Sequence, residues 1–481
     1  MRELWVRDGG NYDPAALAPH YLDGTAWALE RFLYYGTELA ESPADCYARD
    51  CAITTVRADD LTYDVFFRQH LLPNYPVVVQ GVTSGWNSSR DWVSASGTPA
   101  VGAIANMFPQ AYAPVVGVWA DDPTRAASKH TSVRAYAMWW AKRHGESAPV
   151  LDSDISGPVP QDLDGESLYL KDWHFTAEHG AEYSAYSCPM WFRDDWLHPC
   201  QEAEEIGRSE AEEIGRSAAN TVSEQRTTGD ERGRDHRFVY LGPKGSTTRV
   251  HCDVMASYSW SVNVCGAKRW QLLPPAATPL LYDSLGDRMA ADLTDTENGW
   301  YGGLDAARGR AIEIIQRSGE AIFVPSGWHH CVENLEDTLS INHNWINACN
   351  LHWAVDHVLS RLQLEPSSAQ SVGNNDKCSN CSGKEGAAER EARLLAAVVD
   401  EAAARAWQVY EKYRTAQKER EQTAEWLKAV YDLRVAQAAL DLLEDAGVHT
   451  MRATTRAALG VISAEELAMA AQPQAPAQAQ P

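Results

Sequence analysis

The chain has no long apolar run. No window approaches the ~18 consecutive apolar residues that a membrane-spanning helix needs, and the opening MRELWVRDGGNYDPAALAPHYLDG lacks the apolar core of a secretory signal. A soluble, intracellular protein is therefore expected. Basic residues are scarce beside acidic ones, 42 Lys and Arg against 66 Asp and Glu, for a formal charge of -24. A surface of that sign does not neutralise phosphates, which argues against direct nucleic-acid binding and is compatible with a basic protein partner. The ten cysteines show no regular spacing, so a disulfide framework is not expected, and reduced thiols in a cytosolic or nuclear compartment are. One close pair, Cys378 and Cys381, has no second pair beside it and reads as two thiols in a polar loop, because it supplies only half of a zinc site. The H-E-x-x-H signature of zinc hydrolases is also missing.

What is present is a chain long enough for one large domain and a smaller one, with 44% hydrophobic content. After an N-terminal extension (1–58), DDLTYDVFFRQHLL (Asp59–Leu72) places acidic residues ahead of apolar ones at helical spacing, and YPVVVQG reads as a buried strand. Residues 200–237 form a charged insertion in which EAEEIGRS occurs twice in tandem, too short and polar for a solenoid. From Phe238 to Trp345 β-branched and aromatic residues are punctuated by tight-turn signals, which predicts an antiparallel barrel or sandwich. A helix follows over 351–369, then a Ser/Gly/Asn-rich linker (370–386) and a helix-forming stretch over 387–447, with Trp407, Tyr410, Tyr413, Trp426, Val430 and Leu433 available for packing. That stretch reads as a helical appendage or dimerisation element. The segment 448–481 ends in QPQAPAQAQP, a disordered tail by composition.

The chemistry concentrates in RVHCDVMASYSWSVNVCGAKRW. Side chains two apart on a strand share a face, so His251 and Asp253 can address one ion while Cys252 turns away. About one H-x-D is expected by chance in such a chain, and the neighbours decide its weight. Tyr258, Trp260, Val262 and Val264 alternate with Ser259, Ser261 and Asn263. Gly266-Ala267 suits a two-residue hairpin, which would pair Cys265 with Lys268 and Asn263 with Trp270 and put Lys268 on the polar face. A lysine in a barrel interior must meet an anion, and a dicarboxylate ligand would supply one. The stretch HHCVENL, a Glu336-Asp337 turn and TLSINHNW repeat the pattern: His330, Val332 and Asn334 share a face, and the partner strand carries Ser340, Asn342 and Asn344. His330 continues the polar series into the interior, whereas His329 points away. Two histidines and one carboxylate bind one face of an octahedral iron(II) and leave the opposite positions open. A tetrahedral zinc site gives no reason for the inward lysine.

At these residues the chain resembles the JmjC oxygenases, most strongly in VHCDVMASYSWSVNVCGAKRWQLLPP and IFVPSGWHHCVENLEDTLSINHNWINACNL, with LYLKDWHF (Leu168–Phe175) in support. The resemblance implies a mainly β catalytic core, a double-stranded β-helix or jelly-roll barrel over 59–350, with flanking helices. It implies Fe(II) as cofactor, with 2-oxoglutarate and O2 as co-substrates, and His251, Asp253 and His330 as iron ligands. By position Lys268 would pair with the distal carboxylate of 2-oxoglutarate, helped by Thr248 and Tyr169. Ser261 departs from the family, in which several members carry asparagine there; Asn263 or Asn344 would supply that amide. The strings SWSVNVCG, VPSGWHH and TLSINHNW point to the branch that hydroxylates a lysine of the eukaryotic translation termination (release) factor. Histone lysine demethylation and a catalytically silent scaffold are the alternatives, and no chromatin-reading module supports the first. The substrate is expected to be a lysine-bearing protein met in the cytoplasm or nucleus, with oligomeric state open.

Overall fold

The computed structural model describes residues 53–119, 122–147, 163–198, 235–283, 288–294, 302–364, 386–415 and 424–448. The tandem EAEEIGRS, the Cys378/Cys381 pair, the C-terminal tail and nearly all of the N-terminal extension lie outside these residues.

Among the described residues the strands are β1 (Thr55–Arg57), β2 (Val77–Gln80), β3 (Tyr112–Trp119), β4 (Asp122–Ser132), β5 (Gly165–Trp173), β6 (Arg237–Gly242) and β7 (Thr247–His251), followed by β8 (Tyr258–Cys265), β9 (Lys268–Leu273), β10 (Ile312–Gln316), β11 (Glu320–Val324), β12 (His329–Asn334) and β13 (Thr338–Trp345). They build a nine-stranded sheet in the order β1-β2-β11-β8-β13-β6-β5-β3-β4 and a four-stranded sheet in the order β10-β9-β12-β7. All pairings are antiparallel except β1 with β2. The two sheets face each other as the halves of the expected jelly-roll barrel.

The alternation in β8 sorts its two faces. Tyr258, Trp260, Val262 and Val264 join the main apolar core behind the large sheet, with Phe192, Phe323, Ile341 and Trp345. Between the sheets a separate cluster, Val78, Trp270, Leu272, Ile322, Val324 and Trp328, fills part of the interior with apolar groups. The rest of the interior is polar.

Two predicted hairpins are corrected. β8 pairs with β11 and β13, while β9 pairs with β10 and β12, so Gly266-Ala267 carries the chain from one sheet to the other. Neither Cys265 with Lys268 nor Asn263 with Trp270 is a pair: Cys265 stands opposite Leu339, and Asn263 opposite Ser340. The Glu336-Asp337 turn likewise joins β12 of the small sheet to β13 of the large one. The polar stripe of β13 therefore faces His330 across the barrel instead of lying beside it. Both turns meet at one place, where the Leu335 and Glu336 amides donate to the Ala267 carbonyl at 2.9 and 3.3 Å. A side chain on Gly266 (φ 81) would put its Cβ 2.2 Å from the Asp337 carbonyl oxygen.

The helix expected over Asp59–Leu72 starts later, as α1 (Tyr63–Phe66) followed by a wider turn at Phe67–Leu71. The Asp60 and Leu61 amides are committed to the Arg57 carbonyl in a turn, and the Thr62 hydroxyl accepts from the Val65 amide at the helix entrance. Helix α2 (Val133–His144) is capped by Ser132 and ended by left-handed Gly145. Its Tyr136 hydroxyl reaches the carbonyls of Leu168 on β5 (3.1 Å) and Leu241 on β6 (2.9 Å), which locks the helix to the strands beside the site.

After the barrel, α3 (Leu351–Leu364) buries Leu351, Val355, Val358 and Leu359. The single helix-forming stretch resolves into two helices, α4 (Ala387–Thr415) and α5 (Ala424–Asp445), whose Leu395, Val399, Tyr410, Val430, Leu433 and Leu440 extend the main core. Trp407 packs half-buried against it; the side chains of Tyr413 and Trp426 lie outside the described set. No described helix is long and apolar enough to cross a membrane.

Candidate metal centre

His251 ends β7, and Asp253 follows two residues later in extended backbone (φ -60, ψ 153). The chain then turns through Met255 and Ala256, both left-handed at φ 52 and 47, to enter β8 in the opposite sheet. Such conformations are unfavourable for side chains with a Cβ and persist where surroundings impose them. Here the turn sets a carboxylate at the barrel mouth. His330 on β12 stands opposite His251 in the ladder.

The three side chains offer ligand atoms within 4.8 Å of one another, and among the described residues this is the single group of three or more such side chains that could hold a metal. The two imidazole rings lie 4.3 Å apart. Each is oriented from behind. Nδ1 of His251 lies 2.9 Å from the Arg249 carbonyl, and Nδ1 of His330 lies 3.2 Å from that of Trp328. With the proton on Nδ1 both rings donate to these carbonyls and keep an Nε2 lone pair for an ion. Burial beside His251 pushes His330 down to about 4, so the ring is neutral, the form that ligates. The Ser259 hydroxyl donates to Asp253 Oδ2 at 2.6 Å and leaves the other oxygen free. The donor set, two neutral imidazoles and one carboxylate with their outer partners satisfied, fits a divalent first-row ion such as iron(II). His329 faces away, with Nδ1 3.1 Å from the Thr278 hydroxyl.

Deeper in the barrel, Lys268 at the start of β9 is 2% exposed. Its ammonium spans the gap between the sheets, donates to Ser340 Oγ on β13 at 2.6 Å and lies 5.8 Å from the centre of the Tyr240 ring. Burial, with Lys171 adding a repulsive field, lowers its pKa to about 7. Among the described residues no carboxylate compensates it. Lys171 sits over the Tyr169 and Tyr240 rings at 5.7 and 5.8 Å, and burial lowers its pKa too. The Tyr240 hydroxyl donates to Asp172 at 2.7 Å.

The structure brings Thr248 and Tyr169 into this same interior: burial raises the Tyr169 phenol, and the nearby Asn334 and Thr248 side chains partly oppose that shift. Gly242 makes room for the ring, since a Cβ there would fall 2.5 Å from Tyr169 Cδ2 and 2.6 Å from Asn334 Nδ2. Neither expected amide is hydrogen-bonded to Ser261. Asn263 Nδ2 lies 3.3 Å from both the Gly266 and Gln316 carbonyls at the turn, and Asn344 Nδ2 donates to Ser257 at 3.2 Å near the mouth. The amide beside Ser261 is Asn342, whose Oδ1 accepts from the Ser261 hydroxyl at 3.1 Å. Ser259, Ser340 and Asn342 all stood on polar stripes legible in the sequence. Tyr240, within the apolar-looking FVYLG, and Gly242 gave no such signal.

Comparison with known proteins places these residues in context. The family of the JmjC domain, described as a hydroxylase, matches residues 238–345. Arginine-specific demethylase JMJ20 of Arabidopsis thaliana is 36% identical over 305 residues, covering 63% of this chain and 59% of its own length. The 2-oxoglutarate and iron-dependent oxygenase JMJD4 of Danio rerio is 33% identical over 342 residues, 69% of each chain. JMJD4 of Homo sapiens is 34% identical over 295 residues, 60% of each chain. The matches thus span 59% to 69% of the length of these relatives.

Proposed function

The chain belongs to the JmjC family of 2-oxoglutarate- and iron-dependent oxygenases, and from that premise we propose that it is a protein hydroxylase, acting on a lysine of the translation termination factor in the cytoplasm. The observation that carries the oxygenase reading is the pairing, in one barrel interior, of the His251, Asp253 and His330 trio with the buried, uncompensated Lys268. A buried ammonium without an anion is unfavourable, and a dicarboxylate that also reaches the metal answers both halves of the site.

Iron(II) held by the trio would supply, with 2-oxoglutarate and O2, the oxidative decarboxylation that inserts one oxygen into an unactivated C–H bond. The chain's own residues do the positioning. Lys268 binds the distal carboxylate and Ser340 fixes the ammonium; Tyr169 and Thr248 present hydroxyls beside it. Ser259 orients Asp253, while the Arg249 and Trp328 carbonyls set the histidine tautomers. The apolar cluster around Trp270 and Trp328 lines the interior beside His330 and offers water no polar partner there.

The substrate rests on the resemblance of SWSVNVCG, VPSGWHH and TLSINHNW to the release-factor hydroxylase branch, and the acidic chain suits a basic target. Demethylation is the competing reading, favoured by the name of JMJ20, because the same insertion at an N-methyl carbon releases the methyl group. Anaerobic loading with iron(II) and 2-oxoglutarate, followed by oxygen and either release factor or methylated histone and arginine peptides, separates the two by mass. A gain of one oxygen on a release-factor lysine is expected; methyl loss from the peptides with no such gain sinks the proposal.

A further inference from the structure

We propose that Tyr186 and His343 form a redox-active tyrosine–histidine pair that accepts an oxidising equivalent from the iron site when oxygen is activated there without substrate. The inference rests on the oxygenase reading above. It begins from a polar pair set into the aromatic core behind the large sheet, on the opposite face of β13 from the barrel interior.

The Tyr186 hydroxyl lies 2.5 Å from Nε2 of His343, and the Thr176 hydroxyl lies 2.8 Å from the same phenol oxygen. With Thr176 donating, the phenol gives its proton to the imidazole. Burial holds His343 well below the ordinary histidine range, so the ring is a neutral acceptor, and burial raises Tyr186, so the phenol keeps its proton. The separation is short enough for direct proton transfer.

An aromatic route connects the pair to the metal ligands. The His343 ring stacks on Trp260 with centroids 4.1 Å apart, and Tyr186 meets the same indole edge-on at 6.2 Å. Trp260 follows Ser259 directly, and the Ser259 hydroxyl is bonded to Asp253 at 2.6 Å. One hydrogen bond and one peptide unit thus separate a metal ligand from the indole's backbone. On the far side Tyr186 packs against Trp86 at 5.5 Å, which continues the route away from the barrel.

When no C–H bond is presented, oxidising equivalents formed at the iron-loaded site would fall on nearby side chains unless a reductant intercepts them, and a site must exclude or divert that reaction. In the step proposed, the Tyr186 phenol loses one electron, by way of Trp260, to that site, and its proton passes to His343 Nε2. The products are a neutral tyrosyl radical, an imidazolium and the site reduced by one electron. A thiol or ascorbate then returns one electron, and the proton moves back from His343 to restore the phenol.

Two measurements test the pair. In the first, a photogenerated ruthenium(III) polypyridyl complex oxidises the iron-free full-length protein. A tyrosyl EPR signal is expected that forms more slowly in deuterium oxide, is lost in Tyr186→Phe and survives in Tyr183→Phe. A signal unchanged in Tyr186→Phe overturns the proposal. In the second, protein loaded with iron(II) and 2-oxoglutarate meets oxygen without a protein substrate, and both succinate and the radical are followed. Succinate accompanied by a radical that depends on Tyr186 supports the pair; succinate without it overturns the pair. Absence of succinate counts against the oxygenase reading, and the iron-free measurement still decides the pair. Thr176→Val is a second variant: losing the donor to the phenol oxygen is expected to alter the width of the radical signal without removing it, and an unchanged signal overturns the assignment to Tyr186.

Discussion

Lys268 is an ammonium that no carboxylate among the described residues neutralises, and its lowered pKa, to about 7, expresses that cost. The sign fixes two outcomes. The unfolded chain keeps this proton up to the ordinary lysine value whereas the folded chain releases it near 7, so the penalty is full below about 7 and fades as pH rises toward the ordinary value. Lys268→Met should therefore raise the melting temperature of the ligand-free protein, most at neutral pH and below, while 2-oxoglutarate binding falls by roughly 10–100-fold through loss of a charge-assisted hydrogen bond. In the wild type, binding requires the protonated form, so affinity should drop by roughly tenfold for each pH unit above about 7. Calorimetric titration of 2-oxoglutarate against pH checks both; a flat profile would mean that another group holds the carboxylate. At the mouth, Ser259→Ala removes the donor that orients Asp253, and metal affinity should fall by roughly 10–100-fold with the fold intact. Iron(II) titration followed by circular dichroism distinguishes that loss from unfolding.

At the scale of elements, the crossings between sheets explain both what the sequence revealed and what it hid. Alternation in β8, β12 and β13 identifies the inward polar residues, because period two is a local property of an extended chain. Whether Gly266-Ala267 closes a hairpin or crosses between sheets is not local. It depends on β10, β11 and β13, which lie well beyond the turn and compete for the same strand edges. Lys268 therefore turns inward, as expected, although the hairpin pairing that predicts it does not form. It reaches Ser340 across the gap, and that facing survives either topology. The amide that meets Ser261 is hidden from the sequence for the same reason: Asn342 is a neighbour only because β13 pairs with β8. The crossing itself is a sharp test. Alanine at position 266 would need the left-handed backbone at φ 81 and would drive Cβ to 2.2 Å from the Asp337 carbonyl oxygen and 2.8 Å from Thr338 Cγ2. Backbone must shift where β9 and β13 begin, so Gly266→Ala should cost roughly 2–4 kcal/mol in stability. Urea unfolding measures it. A change under about 1 kcal/mol, the scale of glycine's entropic term alone, would show that the two turns are not packed as described.

Across the whole molecule two features act at a distance from the chemistry. The helices α4 and α5 extend the apolar core beyond α3, so the barrel is joined to them through buried Val355, Val358, Tyr410 and Leu433 and not by a loose tether. The other feature is charge. A formal charge of -24 gives the chain a field that draws in basic proteins and repels acidic ones. That field acts on a lysine-bearing protein through exposed groups and is screened within about 8 Å at physiological ionic strength. The attraction between Lys268 and a dicarboxylate, in contrast, is confined to a site from which bulk ions are excluded. Raising salt should therefore lower kcat/KM for a basic protein substrate steeply while leaving 2-oxoglutarate affinity far less changed. Steady-state rates measured with each component varied in turn read the two apart. Parallel loss of both would mean that the co-substrate, too, is bound by exposed charge, which is incompatible with an ammonium held 2% exposed between two sheets.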